Sequence, residues 1–279
     1  MTSLLAVPAT PATAAVVTCG TVVTTSITLT SDVGPCPGDA LIAGADNITI
    51  DLGGYTISGT GTGAGVGVAQ RTGVTVTNGT IQGFHTAVVL DESTHSTVSK
   101  LVLRDNIRGV DVAGSDGNLV DKNTIRNSAL DAIRLGLSAD NVISKNTLSG
   151  NVFGIGVADF STGNLVEKNV LRDTRGFGIA VFSDSDSNRI EKNDVQRTLQ
   201  GDGITVSLDS DLTFIFKNIA NVNSDDGIDT DNPQTTITGN IANNNGDLGI
   251  EAVAGTTDGG GNLASGNGNP AQCDGVSCS

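Results

Sequence analysis

The chain has 279 residues, 37 of them glycine, no tryptophan, and a hydrophobic fraction of 37%. That fraction is short for a compact mixed domain but sufficient for a thin, repetitive core. A formal net charge of −15 with a single tyrosine argues against nucleic-acid binding, and no apolar run approaches the roughly 20 residues of a membrane span.

Residues 1–14, MTSLLAVPATPATA, are small and apolar, with an Ala12-Thr13-Ala14 cleavage pattern. They predict the remnant of a secretory signal, hence a secreted or cell-surface protein. Residues 15–279 then form one domain, with an N-terminal cap over 15–46, coils over 47–254 and a C-terminal cap over 255–279. The four cysteines fall into two local pairs, Cys19 with Cys36 and Cys273 with Cys278. Their spacing does not fit a zinc site. Two disulfides at the ends of a repeat array would lock its fraying caps and imply an oxidising compartment.

In the first coil Ile48, Ile50 and Leu52 alternate inward, and Gly53-Gly54 makes a bend. The run TGTGAGVG after Gly59 lacks the Lys and the following helix of a phosphate loop and reads as a turn. From about Ser96 to Asn245 one line is written repeatedly: NLVDKNTIRNS at Asn118, NVISKNTLSGN at Asn141, NLVEKNVLRDT at Asn164, NRIEKNDVQRT at Asn188. Asn123, Asn146, Asn169, Asn193, Asn218 and Asn240 recur at steps of 23, 23, 24, 25 and 22 residues. A fixed period of this kind marks a solenoid. Within each repeat Val, Ile and Leu alternate with period two, broken by Gly, Asn and Asp, which predicts short strands and no helices. The architecture is all-β: a single-stranded parallel β-helix of about ten coils spaced roughly 4.8 Å apart. Stacked inward asparagines would satisfy one another's amides as a structural ladder, and Asn118, Asn141, Asn164 and Asn188 form a second such column.

The asparagine-centred repeat, the run ITIDLGGYTISG at Ile48 and the DGI coils resemble the right-handed parallel β-helix proteins of the pectate-lyase superfamily. More narrowly, the cysteine-bearing start and the closing GNGNPAQCDGVSC are similar to secreted bacterial β-helix repeat proteins of unassigned activity. The resemblance covers nearly the whole chain and supplies the handedness. It is specific for the fold and says little about function.

On a stacked scaffold, function shows as a column that breaks its own pattern. The strand carrying the DGI line points Arg108, Asp111, Arg134, Phe153, Phe177, Phe182, Asp229 and Asp231 outward, a face suited to a polysaccharide. The plainer alternative is a solvated face. Asp202, Asp225 and Asp226 fall on adjacent coils and are similar to the three carboxylates of polygalacturonase-type glycosidases, where they act as acid and base. That family also brings a His on the following coil and a basic RIK segment; here the coil reads Gly246-Asp247-Leu248-Gly249. The carboxylates Asp226, Asp229 and Asp231 could alternatively hold Ca²⁺; no other cofactor is implied, and His85 and His95 are too few for a metal site. All six lysines, Lys100, Lys122, Lys145, Lys168, Lys192 and Lys217, share one repeat position. They read as solvated turn residues or as a basic stripe for an anionic polymer. The balance favours a polysaccharide-binding or scaffolding protein without catalysis, with a carbohydrate-active enzyme, hydrolase or lyase, as the alternative.

Overall fold

The computed structural model describes residues 12–279, in which strands and turns alternate and no helix occurs. One coil serves for all. Leu119–Asp121 forms face one, Thr124–Arg126 face two and Asp131–Gly136 face three. Each strand pairs in parallel with its counterpart one turn later: Val120 with Ile143, Ile125 with Leu148, Ile133 with Ile155. Face three is a sheet of eleven strands, so the solenoid has about eleven turns where chain length suggested about ten. In two early coils, faces one and two are a single continuous strand, Thr75–Gln82 and Thr97–Arg104.

The inward positions stack into apolar columns. On face three Val66, Val88, Val110, Ile133, Ile155, Ile179, Ile204, Ile228 and Ile250 are all fully buried. Each such side chain contributes about 1.5–3 kcal/mol on leaving water. β-Branched residues suit this position because their restricted rotamers match the pleat.

Strands stacked in the same way lie on both sides of the expected coil region 47–254. Val23, Ile27 and Leu29 already occupy inward sites within 15–46, and Ile27–Leu29 pairs with Thr49–Asp51. Leu263–Ser265 continues face two within 255–279. The TGTGAGVG run is not all turn, since Ala64–Ala69 is a face-three strand. Both disulfides form, Cys19–Cys36 in the first turns and Cys273–Cys278 at the far end. The expected secretory remnant falls on residues 1–14, of which 1–11 lie outside the described residues; Thr13–Ala15 pairs with Ile27–Leu29. Among the described residues no helix is long and apolar enough to cross a membrane.

Three corners join the faces, and polar columns line them. Between faces one and two, each lysine takes φ between 53° and 56°, and after all but Lys100, which Leu101 follows, an asparagine turns inward. Asn123 shows the pattern: its Nδ2 donates to Asn146 Oδ1 at 3.0 Å and to Val98 O at 2.9 Å. Its own Oδ1 accepts the Leu101 backbone N–H at 3.0 Å. The same bonds run through Asn146, Asn169, Asn193, Asn218 and Asn240. Asn118, Asn141, Asn164 and Asn188 are bonded in the same way where face one begins.

Two further columns are not evident from the repeat. Ser93, Ser115, Ser138, Ser161, Ser185 and Ser210 stack after face three, and from Ser115 on each Oγ accepts the backbone N–H of the serine one turn earlier at 2.8–3.2 Å. Before face three, Asn106, Asn151, Asn223, Asn245 and Asn267 are buried at the corner, with Ser128, Thr174 and Thr198 in the intervening turns. Each device gives a buried N–H at a bend a partner it would otherwise lack.

Candidate functional site

Face three is the one whose outward residues depart from turn to turn. Register places Arg108, Asp131, Phe153, Phe177, Asp202, Asp226 and Leu248 in one outward column, each preceding the small residue before an inward Val or Ile. A second column runs Asp111, Arg134, Gly156, Ala180, Thr205, Asp229, Glu251. The face divides into three zones along the axis.

The first zone is charged and internally paired. Arg108 contacts Asp131 at 3.3 Å and Asp111 at 3.4 Å. Arg134 pairs with Asp159 and lies 3.9 Å from Asp111. Burial pushes the Asp111 carboxyl above its ordinary range, and the two arginines oppose that shift.

The second zone is aromatic. Phe153 and Phe177 stack with ring centroids 4.7 Å apart and planes 17° from parallel. Phe182 meets Phe177 at 6.2 Å with its ring tilted by 59°. All three are half-buried. The rings fit because their neighbours are small. A Cβ on Gly176 would stand 2.5 Å from the Phe153 ring, and Phe177 and Phe182 lie within 4.0 Å of where a Cβ on Gly156 would stand.

The third zone is acidic. Carboxylate oxygens of Asp202, Asp225 and Asp226 lie within 4.8 Å of one another. Asp202 Oδ1 accepts the Asp226 N–H at 3.2 Å, and Asp226 Oδ1 accepts the Leu248 N–H at 2.6 Å. Desolvation raises the Asp202 pKa to about 6, with the Asp225 and Glu251 charges adding to it. Asp226 is 4% exposed, and desolvation together with a hydrogen bond to Glu251 raises it to about 8. Asp229 is raised to about 7 by desolvation and by the charges of Asp202, Asp231 and Glu251. Asp229, Asp231, Glu251 and Asp274 line a shallow cavity of about 370 Å³. The closest triad of oxygens therefore excludes Asp229 and Asp231, which face this cavity instead.

Chemically, the arrangement offers an apolar shelf and, beyond it, one acid, Asp226, that holds its proton at neutral pH beside a more readily ionised one, Asp202. Sequence reasoning missed Asp159, Gly176 and Asp274. Asp159 follows the end of its strand, outside the repeated line. Asp274 reaches the site through the pairing of Ile250 with Cys273, inside the final disulfide loop. The lysine column stands on the corner between faces one and two, away from face three, and four of its members pair with acids: Lys122 and Lys145 with Asp121, Lys168 with Glu167, Lys192 with Glu191.

A family model described as a right handed beta helix region matches residues 64–214, more than half of the chain. The chain belongs to the right-handed β-helix family. No curated protein sequence matches it. Among solved structures this β-helix is similar to a double mutant of the periplasmic alginate epimerase AlgG, with TM-score 0.62 and 15% identity over 91% of this chain and 73% of that one. It is similar to the Dettilon tailspike protein, with TM-score 0.71 and 16% identity over 92% of this chain and 60% of that one. A tailspike double mutant of E. coli bacteriophage HK620, in complex with a pentasaccharide, matches with TM-score 0.66 and 13% identity over 87% and 55%. The β-helix thus spans under two thirds of the length of either tailspike. At these identities the likeness concerns the fold.

Proposed function

We propose that the protein is a secreted or cell-surface β-helix that binds a polysaccharide along face three without processing it. The observation that carries this reading is the Phe153–Phe177 stack with Phe182, held half-exposed in the middle of a polar face. Rings kept on a solvated surface at a cost in exposed apolar area suit a ligand with apolar patches of its own. The C–H face of a pyranose packs on the electron-rich face of a phenyl ring. The flanking Arg108, Asp111, Arg134, Asp229 and Asp231 offer hydrogen-bonding groups for sugar hydroxyls. The polysaccharide-related names among the structural neighbours support the same reading. Two disulfides fit an oxidising compartment, and the asparagine columns belong to the scaffold.

One observation favours a second reading, a carbohydrate-active enzyme. Asp226, raised to about 8, retains a proton at neutral pH beside Asp202 and Asp225. In that reading Asp226 would protonate a leaving group and Asp202 or Asp225 would activate water. Calcium would draw on Asp202, Asp225 and Asp226 or on Asp226, Asp229 and Asp231; Asp202 and Asp226 each have one oxygen already accepting a backbone N–H. The test is a depolymerisation screen over neutral and uronate polysaccharides, with and without Ca²⁺, beside binding by affinity electrophoresis. Retarded migration without new reducing ends or unsaturated products supports the binder. Products that vanish in Asp226→Asn establish the enzyme and end the first reading.

A further inference from the structure

We propose that the ligand of face three is an uncharged glycan, seated on Phe153, Phe177 and Phe182, and not a polyuronate. This rests on the polysaccharide reading above and gives it a chemical class. A polyuronate presents a carboxylate on every ring, and a site for it needs cations that are free to pair with them. Among the described strands of face three, the cations of the candidate site are Arg108 and Arg134. Both are already committed: Arg108 to Asp111 and Asp131, Arg134 to Asp159 with Asp111 alongside. Freeing Arg108 for a ligand would leave Asp111 with only Arg134 at 3.9 Å, and the Asp111 Oδ1 is buried and already lacks a hydrogen-bond partner.

The lysines cannot supply the missing charge, because their corner joins the two other faces. Beyond the aromatic shelf the face turns to Asp202, Asp226, Asp229 and Glu251, within a few coils of the rings. At roughly 4.8 Å per coil Asp202, one coil on from Phe177, lies within a Debye length of about 8 Å and repels a ligand carboxylate on the shelf. The nearest uncommitted cation in sequence is Arg175, exposed on the corner two residues before Phe177. What the shelf itself provides is ring stacking, which favours a saccharide whose C–H face is unencumbered and asks for no charge.

The full chain is tested by affinity electrophoresis and calorimetry against two sets of polymers: neutral glucans, galactans and mannans, and polygalacturonate and alginate. Each is run at low and high salt, with EDTA and with Ca²⁺. We expect a neutral polymer to bind with an affinity that salt leaves within about twofold, since no counterions are released. Phe177→Leu, which keeps apolar bulk and removes the ring, should weaken it at least tenfold, and Phe153→Leu similarly. Lys217→Ala, on the distant corner, should leave binding unchanged. Preferential binding of a polyuronate overturns the inference, whether it weakens with salt and is lost in Arg175→Ala or appears only with Ca²⁺; the polysaccharide reading would survive either result. Silence across both sets ends both together.

Discussion

The backbone N–H of Asp226 donates to Oδ1 of Asp202 on the preceding coil at 3.2 Å. Asp226 in turn accepts the N–H of Leu248 at 2.6 Å. Far from this cluster, Asp39 accepts the Ala64 N–H at 2.8 Å in the same position. The arrangement is therefore a way of satisfying the backbone where face three begins; Asp39 stays exposed in it, whereas Asp202 is partly covered and Asp226 buried.

That cover makes stability depend on pH. Asp202, Asp229 and Asp226 sit at about 6, 7 and 8, above the unfolded value of about 3.9. The folded state thus holds protons that the unfolded chain has released. Their stabilisation is complete below about pH 4 and is lost as pH rises through the folded values to about 8. Asp226→Asn should flatten this slope and raise stability at pH 8 by about 2 kcal/mol once water access is allowed for. Thermal melts across the range check it; an unchanged slope in the variant would mean that Asp226 is not the group responsible.

Asn146 and Lys145 are neighbours with opposite expected sensitivities. Asn146→Ala removes bonds to Val120 O and Asn169 Oδ1 and leaves the backbone N–H of Asn123 and one of its two Nδ2 hydrogens without an acceptor. Buried groups orphaned in this number cost about 3–5 kcal/mol. Lys145 has φ of 54°, so Lys145→Gly relieves a left-handed side chain and should be neutral or stabilising by up to about 1 kcal/mol. Urea melts of the pair decide it, and equal midpoints would refute the contrast.

Reduction should loosen the two ends unequally. In the chain-entropy view the loop closed by Cys19–Cys36 is worth about 3 kcal/mol, and the shorter Cys273–Cys278 loop about 2. Hydrogen exchange under reducing conditions should show protection lost first around Thr21–Val23 and Leu41–Ala43, with the central coils unaffected. Uniform loss along the chain would show instead that the solenoid unfolds as one unit.

Gly176→Ala probes the aromatic shelf without removing a ring. Its Cβ would stand 2.5 Å from the Phe153 ring, so the ring must move off Phe177. Glycan affinity should fall about fivefold or more, which calorimetry would read, while the melting temperature changes by no more than a few degrees. Retained affinity would remove the stack from the binding surface.

The repeat was open to sequence reasoning where one residue type fills a column. Asn123 to Asn240 qualifies, because an amide that both donates and accepts along the axis has no equal substitute. The corner at Asn106 and Asn151 hides, because Ser128, Thr174 and Thr198 stand in the same column and break the repeated letter. The serine column hides for another reason: serine is frequent in every turn, so its periodicity carries no surprise. Lys100 to Lys217 were visible as a column, but which edge they occupy depends on the order of faces, which spacing alone does not contain. Asp226 reads as an exposed strand-start residue; its burial comes from Leu248 and Glu251, one turn on.

The amide column ends where Asn240 meets Asn262, and the corner column ends where Gln272 Oε1 accepts from both the N–H and the Nδ2 of Asn267. Everywhere between, a coil is bonded only to the turns immediately around it. Tandem duplication or loss of a single 23-residue segment in the middle would thus leave both termini and the pattern of the ladder bonds as they were. Such a gene can change the reach of its product, one sugar-sized increment at a time, without inventing a new contact.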